Sequence, residues 1–154
     1  VYPSNICLLR KNTAYKLSKA NMDFKKIGCR IKIWAAYRPI SVQKIFWDIV
    51  RDKRFVANPA VEVSTHSTGC AVDITLVDQN GIELLMPSKF DDFSTNAYPN
   101  NPKTSEKAKE NLNLLVSVMK KNGFNGINTE WWHFEDEDYE KYKPVDIDLK
   151  IFES

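Results

Sequence analysis

Histidine is scarce in this chain, with His66 and His133 the two examples in 154 residues. Cysteine is nearly as scarce. Cys7, Cys29 and Cys70 are odd in number and far apart, which argues against a disulfide framework and a zinc knuckle and makes free thiols the expectation. No apolar run approaches the length of a membrane-spanning helix, so no membrane span is expected. The net charge is +2 and no long run of one sign occurs, so a nucleic-acid partner is not expected either. Internal repeats, low-complexity stretches and a recognisable signal peptide are all lacking. The chain starts at Val1 rather than Met, which leaves processing or trimming open.

What is present is ordinary for a folded protein. Hydrophobic residues make up 43% and charged residues 27%, a balance that argues against disorder, and the length suits one domain over residues 1–154. The two histidines fall in the two segments richest in chemistry, Ser64-Thr65-His66-Ser67-Thr68-Gly69-Cys70-Ala71-Val72-Asp73 and Glu130-Trp131-Trp132-His133. After Gly69, Val72, Ile74 and Leu76 alternate with Asp73 and Thr75, as in a half-buried strand whose carboxylate faces away from the apolar residues. Such a carboxylate needs an Arg, a Lys or a metal ion, because an unpaired buried charge is costly. Imidazole and carboxylate are good zinc ligands, and three protein ligands with one open position make the catalytic form of a zinc site. His66, Asp73 and His133 form that set, one Zn2+ per chain, with Glu130 left unligated beside it.

Either histidine alone reads as a satisfied structural residue, and the ordered pair of segments is what shifts the balance. Residues three apart on a flat strand face opposite sides. Glu130 and His133 therefore reach one site only if the strand bends, bulges or ends there. Cys70 lies inside the motif, but the strand after Gly69 should carry it away from Asp73, so ligation by Cys70 is not expected.

The spacing Ser-x-His-x-x-Gly-x-Ala-x-Asp, followed by Glu-x-Trp-His, resembles the zinc D,D-peptidases of the VanX type, the D-alanyl-D-alanine dipeptidases. Their superfamily also holds D-Ala-D-Ala carboxypeptidases and the hedgehog signalling domain. The resemblance runs from about Cys7 to His133, and it implies the superfamily fold and a bacterial metallopeptidase acting on D-Ala-D-Ala. Position alone reads Arg38 as a surface residue. Tyr37-Arg38-Pro39, however, resembles the family segment whose arginine lies beside the zinc and stabilises the oxyanion. Phe90-Asp91 resembles the step whose aspartate binds the free amino group of the substrate, although a solvated loop acid is an equal reading without the family. Ser64 is implied as a contact to the peptide.

If Asp91 is buried, an acylated amine should be rejected roughly 1000-fold. The dipeptidases carry an upstream segment with a Tyr and an Asn-rich stretch, and this chain begins after it, so part of the pocket wall is expected to be missing. The alternatives are a D,D-carboxypeptidase, which has no use for Asp91, and a non-catalytic zinc-binding or cell-wall-binding module, which has no use for Glu130. Cytoplasm and periplasm both fit, with the cytoplasm slightly favoured.

The remaining segments read as scaffold. Ile6, Leu8 and Leu9 suit a short strand or packed extended piece. Thr13 should cap a helix carrying Leu17, Ala20 and Phe24, with Gly28 as its stop. Residues 30–37 alternate as a strand that ends before Pro39, which should hold Arg38 extended. Ser41 should open a second helix whose stripe Val42, Ile45, Phe46, Ile49 and Val50 enters the core. Asp78-Gln79-Asn80-Gly81 should close a hairpin onto residues 82–86, and residues 94–102 form a loop long enough for a lid or rim. Thr104 or Ser105 should cap a third helix with Ala108, Leu112, Leu115, Val116 and Met119 inward. Residues 127–134 should form a core strand, followed by a solvated acidic run from Glu135 to Glu140. The pattern predicts an α+β fold, a central, mainly antiparallel sheet with packed helices.

Overall fold

The spacing of Leu17, Ala20 and Phe24 builds α1 (Lys11–Lys25), and all three are buried against the sheet in the computed structural model, which describes residues 6–153. Ile6, Leu8 and Leu9, the expected N-terminal piece, lie within that range and form no strand. Within it, Leu8 and Arg10 tie that piece to the motif segments: Tyr37 N donates to Leu8 O, and Arg10 N to Gly69 O. Thr13 does not cap α1. It lies inside the first turn, wholly buried, and its hydroxyl donates to Asp136 at 2.6 Å, while Arg10 holds the N-cap position with its side chain turned to Thr68 O and not to the helix end.

Gly28, at φ +79°, supplies the left-handed turn into β1 (Arg30–Ala35). Then follow α2 (Ile40–Val50), β2 (Ala71–Val77), α3 (Glu106–Lys121), β3 (Phe124–Gly126) and β4 (His133–Asp136). The sheet order is β1-β2-β4-β3, antiparallel at every pairing. The α+β expectation therefore holds. No helix among the described residues is long and apolar enough to cross a membrane.

Central β2 is buried along its whole length, where a half-buried strand was expected. Val72, Ile74 and Leu76 join Leu17 and Phe24 of α1 and Leu112, Leu115 and Met119 of α3 in the core. Deleting a fully buried leucine such as Leu115 costs about 2–5 kcal/mol. Asp73 and Thr75 point to the other face, where each lines a different cavity, Thr75 beside Trp34 and Phe90.

Four scaffold expectations need correction. The stripe on α2 is not core: Ile45 and Ile49 are 49% and 68% exposed, and the buried residue is Gln43. This helix borders the cavity that Arg38 also lines, so its inward face carries an amide aimed at Arg38 and not an aliphatic ridge. The turn at 78–81 forms, but its return leg makes only a bridge between Val77 and Glu83, because β1 holds one edge of β2 and β4 part of the other. Val116 is 38% exposed, one step round α3 from the buried row, whereas Ser105 caps that helix as expected. The loop at 94–102 does not rim the cavity: none of its residues lines it, and the carbonyl of the buried Ala97 accepts from Trp131 N at 2.9 Å. It supports the second motif.

Candidate active site

The register of β2 and β4 sets His133 directly across from Asp73. Residues facing each other in an antiparallel pair share one side of the sheet, so both side chains leave the core on the same face. His66 arrives from a short 3-10 turn, Thr65–Thr68, with Ser64 as its N-cap, accepting from His66 N at 3.3 Å, and Gly69 at φ +78° as its exit. This turn is what the Ser-x-His-x-x-Gly spacing encodes. The chain then enters β2, and two residues later Asp73 meets His66.

The expected strand over residues 127–134 is broken. β3 stops at Gly126, a turn covers Glu130, and β4 starts at His133, with His133 N donating to Glu130 O at 3.4 Å. The interruption solves the three-residue spacing problem. Glu130 Oε2 lies 3.9 Å from His133 Nδ1, on the same side as the imidazole.

His66 Nε2 and His133 Nδ1 lie 3.2 and 3.0 Å from the same oxygen, Asp73 Oδ1, and ligand atoms of the three residues all fall within 4.8 Å of one another. All three residues are buried. The outer ring nitrogens are committed elsewhere. His66 Nδ1 lies 2.7 Å from Ala36 O, an atom that can only accept, so the ring proton belongs on Nδ1 and the Nε2 lone pair points at the Asp73 carboxylate. A lone pair facing an anion is repulsive unless a cation lies between them. This donor set therefore fits a metal ion such as zinc.

The ionisation states agree with a cluster in want of a cation. Burial lowers the His66 pKa, keeping that ring neutral. Burial also works against ionised Asp73, but the hydrogen bond and charge of the His133 ring help to hold its carboxyl below the usual range. Burial disfavours the His133 cation too, yet Asp73 and Glu135 on either side of the ring lift it to about 10.

A cavity of about 390 Å³ opens over this cluster, lined among others by Arg38, Ser64, Asp91, Glu130 and Trp132. Glu130 is 7% exposed, and burial, opposed by His133, pushes its carboxyl up to about 8. Arg38 is not a surface residue. Its guanidinium lies over the Phe46 ring at 4.4 Å, donates to Gln43 Oε1 at 2.8 Å, and stands 4.0 Å from Asp73 Oδ2. Gln43 in turn donates to Ala57 O at 3.0 Å, so the arginine is held on two sides.

Asp91 lines the cavity, but it is exposed and sits on a loop, and its backbone adopts the left-handed φ of +58°. For a non-glycine residue that conformation costs on the order of 1 kcal/mol and marks a position held by its surroundings. Partial desolvation raises its carboxyl, with Asp73 adding to the effect. The burial on which a 1000-fold discrimination depends is absent. Cys70 is buried and turned away from the cluster, and Cys7, Cys29 and Cys70 are all unpaired.

The family model described as D-ala-D-ala dipeptidase matches residues 1–150. The chain belongs to the D-ala-D-ala dipeptidase family. It is accordingly a peptidase. A D-alanyl-D-alanine dipeptidase of Escherichia coli (strain K12) is 36% identical over 135 residues, covering 88% of this chain and 69% of that protein. Two solved structures share the fold at 16% identity. VanYB in complex with D-Alanine-D-Alanine gives a TM-score of 0.57 and covers 92% of this chain and 82% of its own. A vancomycin-resistance D,D-pentapeptidase VanY variant in complex with Zn(II) gives 0.55, covering 100% and 83%.

Sequence reasoning missed Gln43, Glu135 and Asp136. Gln43 was hidden by the apolar stripe around it. Glu135 and Asp136 read as the start of a solvated acidic run, but β4 continues through them. Strand alternation sends Glu135 to the His133 side and Asp136 inward, 1% exposed, onto Thr13 and Lys16 of α1. The period of two starting at His133 was the signal available for both.

Proposed function

We propose that the chain is a zinc-dependent D-alanyl-D-alanine dipeptidase, with His66, Asp73 and His133 as the metal ligands. The observation that carries the reading is the meeting of the three buried donors beneath a cavity that also holds Glu130 and Arg38. Zinc bound there supplies a Lewis acid and brings the pKa of a water down towards about 7.

Glu130 takes the proton of the attacking water and hands it to the leaving amine, and burial, which raises its carboxyl, makes it a stronger base than a solvated glutamate. Its turn places it beside the imidazole without competing for the ligand positions. Arg38, fixed by Gln43 and Phe46, faces the developing oxyanion without having to reorganise. Asp91, at the lip of the cavity and within the field of Arg38, pairs with the ammonium of the free dipeptide. Ser64, its side chain occupied in the cap of the His66 turn, contacts the peptide from the cavity wall. The relatives named as dipeptidases support this choice of substrate.

Comparing D-Ala-D-Ala with its N-acetylated form tests the reading. Because Asp91 is exposed, the lost ammonium contact is that of a charged hydrogen bond, about 1.5–3 kcal/mol, and free dipeptide should be cleaved roughly 10- to 100-fold faster. Equal rates would replace the dipeptidase with a carboxypeptidase acting on longer peptides.

A further inference from the structure

The two imidazoles of the cluster are anchored differently on their outer sides. His66 is held by a backbone carbonyl, Ala36 O, which no side-chain substitution removes. His133 is held by a side chain: its Nε2 lies 3.1 Å from Glu135 Oε1, on the ring edge opposite the nitrogen that faces Asp73. Glu135 stands two residues beyond His133 on β4, so the pleat sends both side chains to the same face. The same Oε1 accepts from Thr65 Oγ1 at 2.9 Å, and Thr65 belongs to the turn that presents His66. One carboxylate therefore ties together the elements that deliver the two imidazoles.

We infer that Glu135 is a positioning residue for the metal site: it accepts the Nε2 proton of His133, leaves Nδ1 to donate its lone pair to a metal ion shared with Asp73, and is itself held by Thr65. An imidazole has one lone pair to give. If the proton moves to Nδ1, the ring presents N–H to the cluster and cannot ligate without turning over. A carboxylate at the outer nitrogen opposes that move, because an unprotonated Nε2 would set a lone pair against an anion. It also makes the ring a stronger donor. Glu135 is not a fourth ligand in this arrangement, since its oxygen lies on the far side of the His133 ring, and the donor group is complete without it. Its side chain is 21% exposed and lines the cavity wall, so removing it leaves room for solvent and does not open a hole in the core.

This inference rests on His133 being a metal ligand and is independent of which peptide is cleaved. The test is the zinc dissociation constant, measured by competition with a chromogenic chelator, for the wild-type protein and for Glu135→Gln, Glu135→Ala and Thr65→Val. The absorption spectrum of each cobalt-substituted protein is recorded alongside. Outer partners of metal-bound histidines contribute about 10- to 100-fold in affinity, so Glu135→Ala should weaken zinc binding by that factor and perturb the cobalt bands. Glu135→Gln keeps an acceptor oxygen at the same reach and should recover most of the loss.

Thr65→Val removes a hydroxyl that lies against both Glu135 Oε1 and His133 Nε2 and should give a smaller loss in the same direction; Glu135→Gln, which keeps the shape, carries the test if Glu135→Ala does not fold. Wild-type affinity in Glu135→Ala, or Glu135→Gln binding no tighter than Glu135→Ala, would overturn the inference. Absence of zinc binding by the wild-type protein would take the functional proposal down with it. Tight zinc binding without D-Ala-D-Ala hydrolysis would remove the substrate reading and leave the role of Glu135 standing.

Discussion

His66, Asp73, Glu130 and His133 stand on strand ends or on turns bonded to them, each at most 7% exposed, whereas Asp91 stands on an exposed loop with left-handed backbone. The floor of the cavity is thus set by the ladder itself: the pairing of Asp73 with His133 and the turn before β4 fix relative positions to within a hydrogen bond. The rim is set by loops over residues 51–63 and 87–93, whose side chains face solvent in part. A division of this kind assigns chemistry to the floor and substrate choice to the rim, so the two should fail separately when altered.

The largest expected effect is on the floor. His66→Ala or His133→Ala removes one of three donors and should abolish both zinc binding and hydrolysis. Metal content and turnover measured on the same preparation check it, and a variant that keeps both would exclude that residue as a ligand. Next, Glu130→Ala should retain zinc while turnover falls on the order of 100- to 10,000-fold, because the residue is assigned to proton transfer alone. Loss of zinc in this variant would move Glu130 into the ligand set and blur the line between donor and base. The smallest effect belongs to the rim. Asp91→Asn should lower kcat/KM for D-Ala-D-Ala about 10- to 100-fold with zinc content unchanged, and it should nearly erase the preference over the N-acetylated substrate. A larger fall, with metal lost, would mean that the rim and floor are not separable.

The floor was legible in the sequence because its residues are few and their spacing is backbone geometry. Gly69 marks the exit from the His66 turn, and the alternation after it assigns Asp73 a face. The rim was legible only through resemblance. Nothing in Phe90-Asp91 distinguishes a cavity lip from a solvated loop, and the exposure of Asp91 corrects the strength expected of it. Helix α2 misled for a related reason. An apolar stripe normally marks the core face, but here the helix covers a polar cavity, and Gln43 is the residue that faces in. The acidic run after His133 misled because charge was read before strand period. Asp136 is one of the most buried carboxylates in the chain, held by Thr13, Lys16 and the Asp138 amide.

The most direct test of the account is hydrolysis of D-Ala-D-Ala by protein stripped with a chelator and then titrated with zinc. Activity should disappear on stripping and return in proportion to added metal, reaching its plateau at about one zinc per chain, as three donors around one point imply. Hydrolysis that persists in the stripped protein, or that fails to return at any zinc level while the fold is intact, would contradict it.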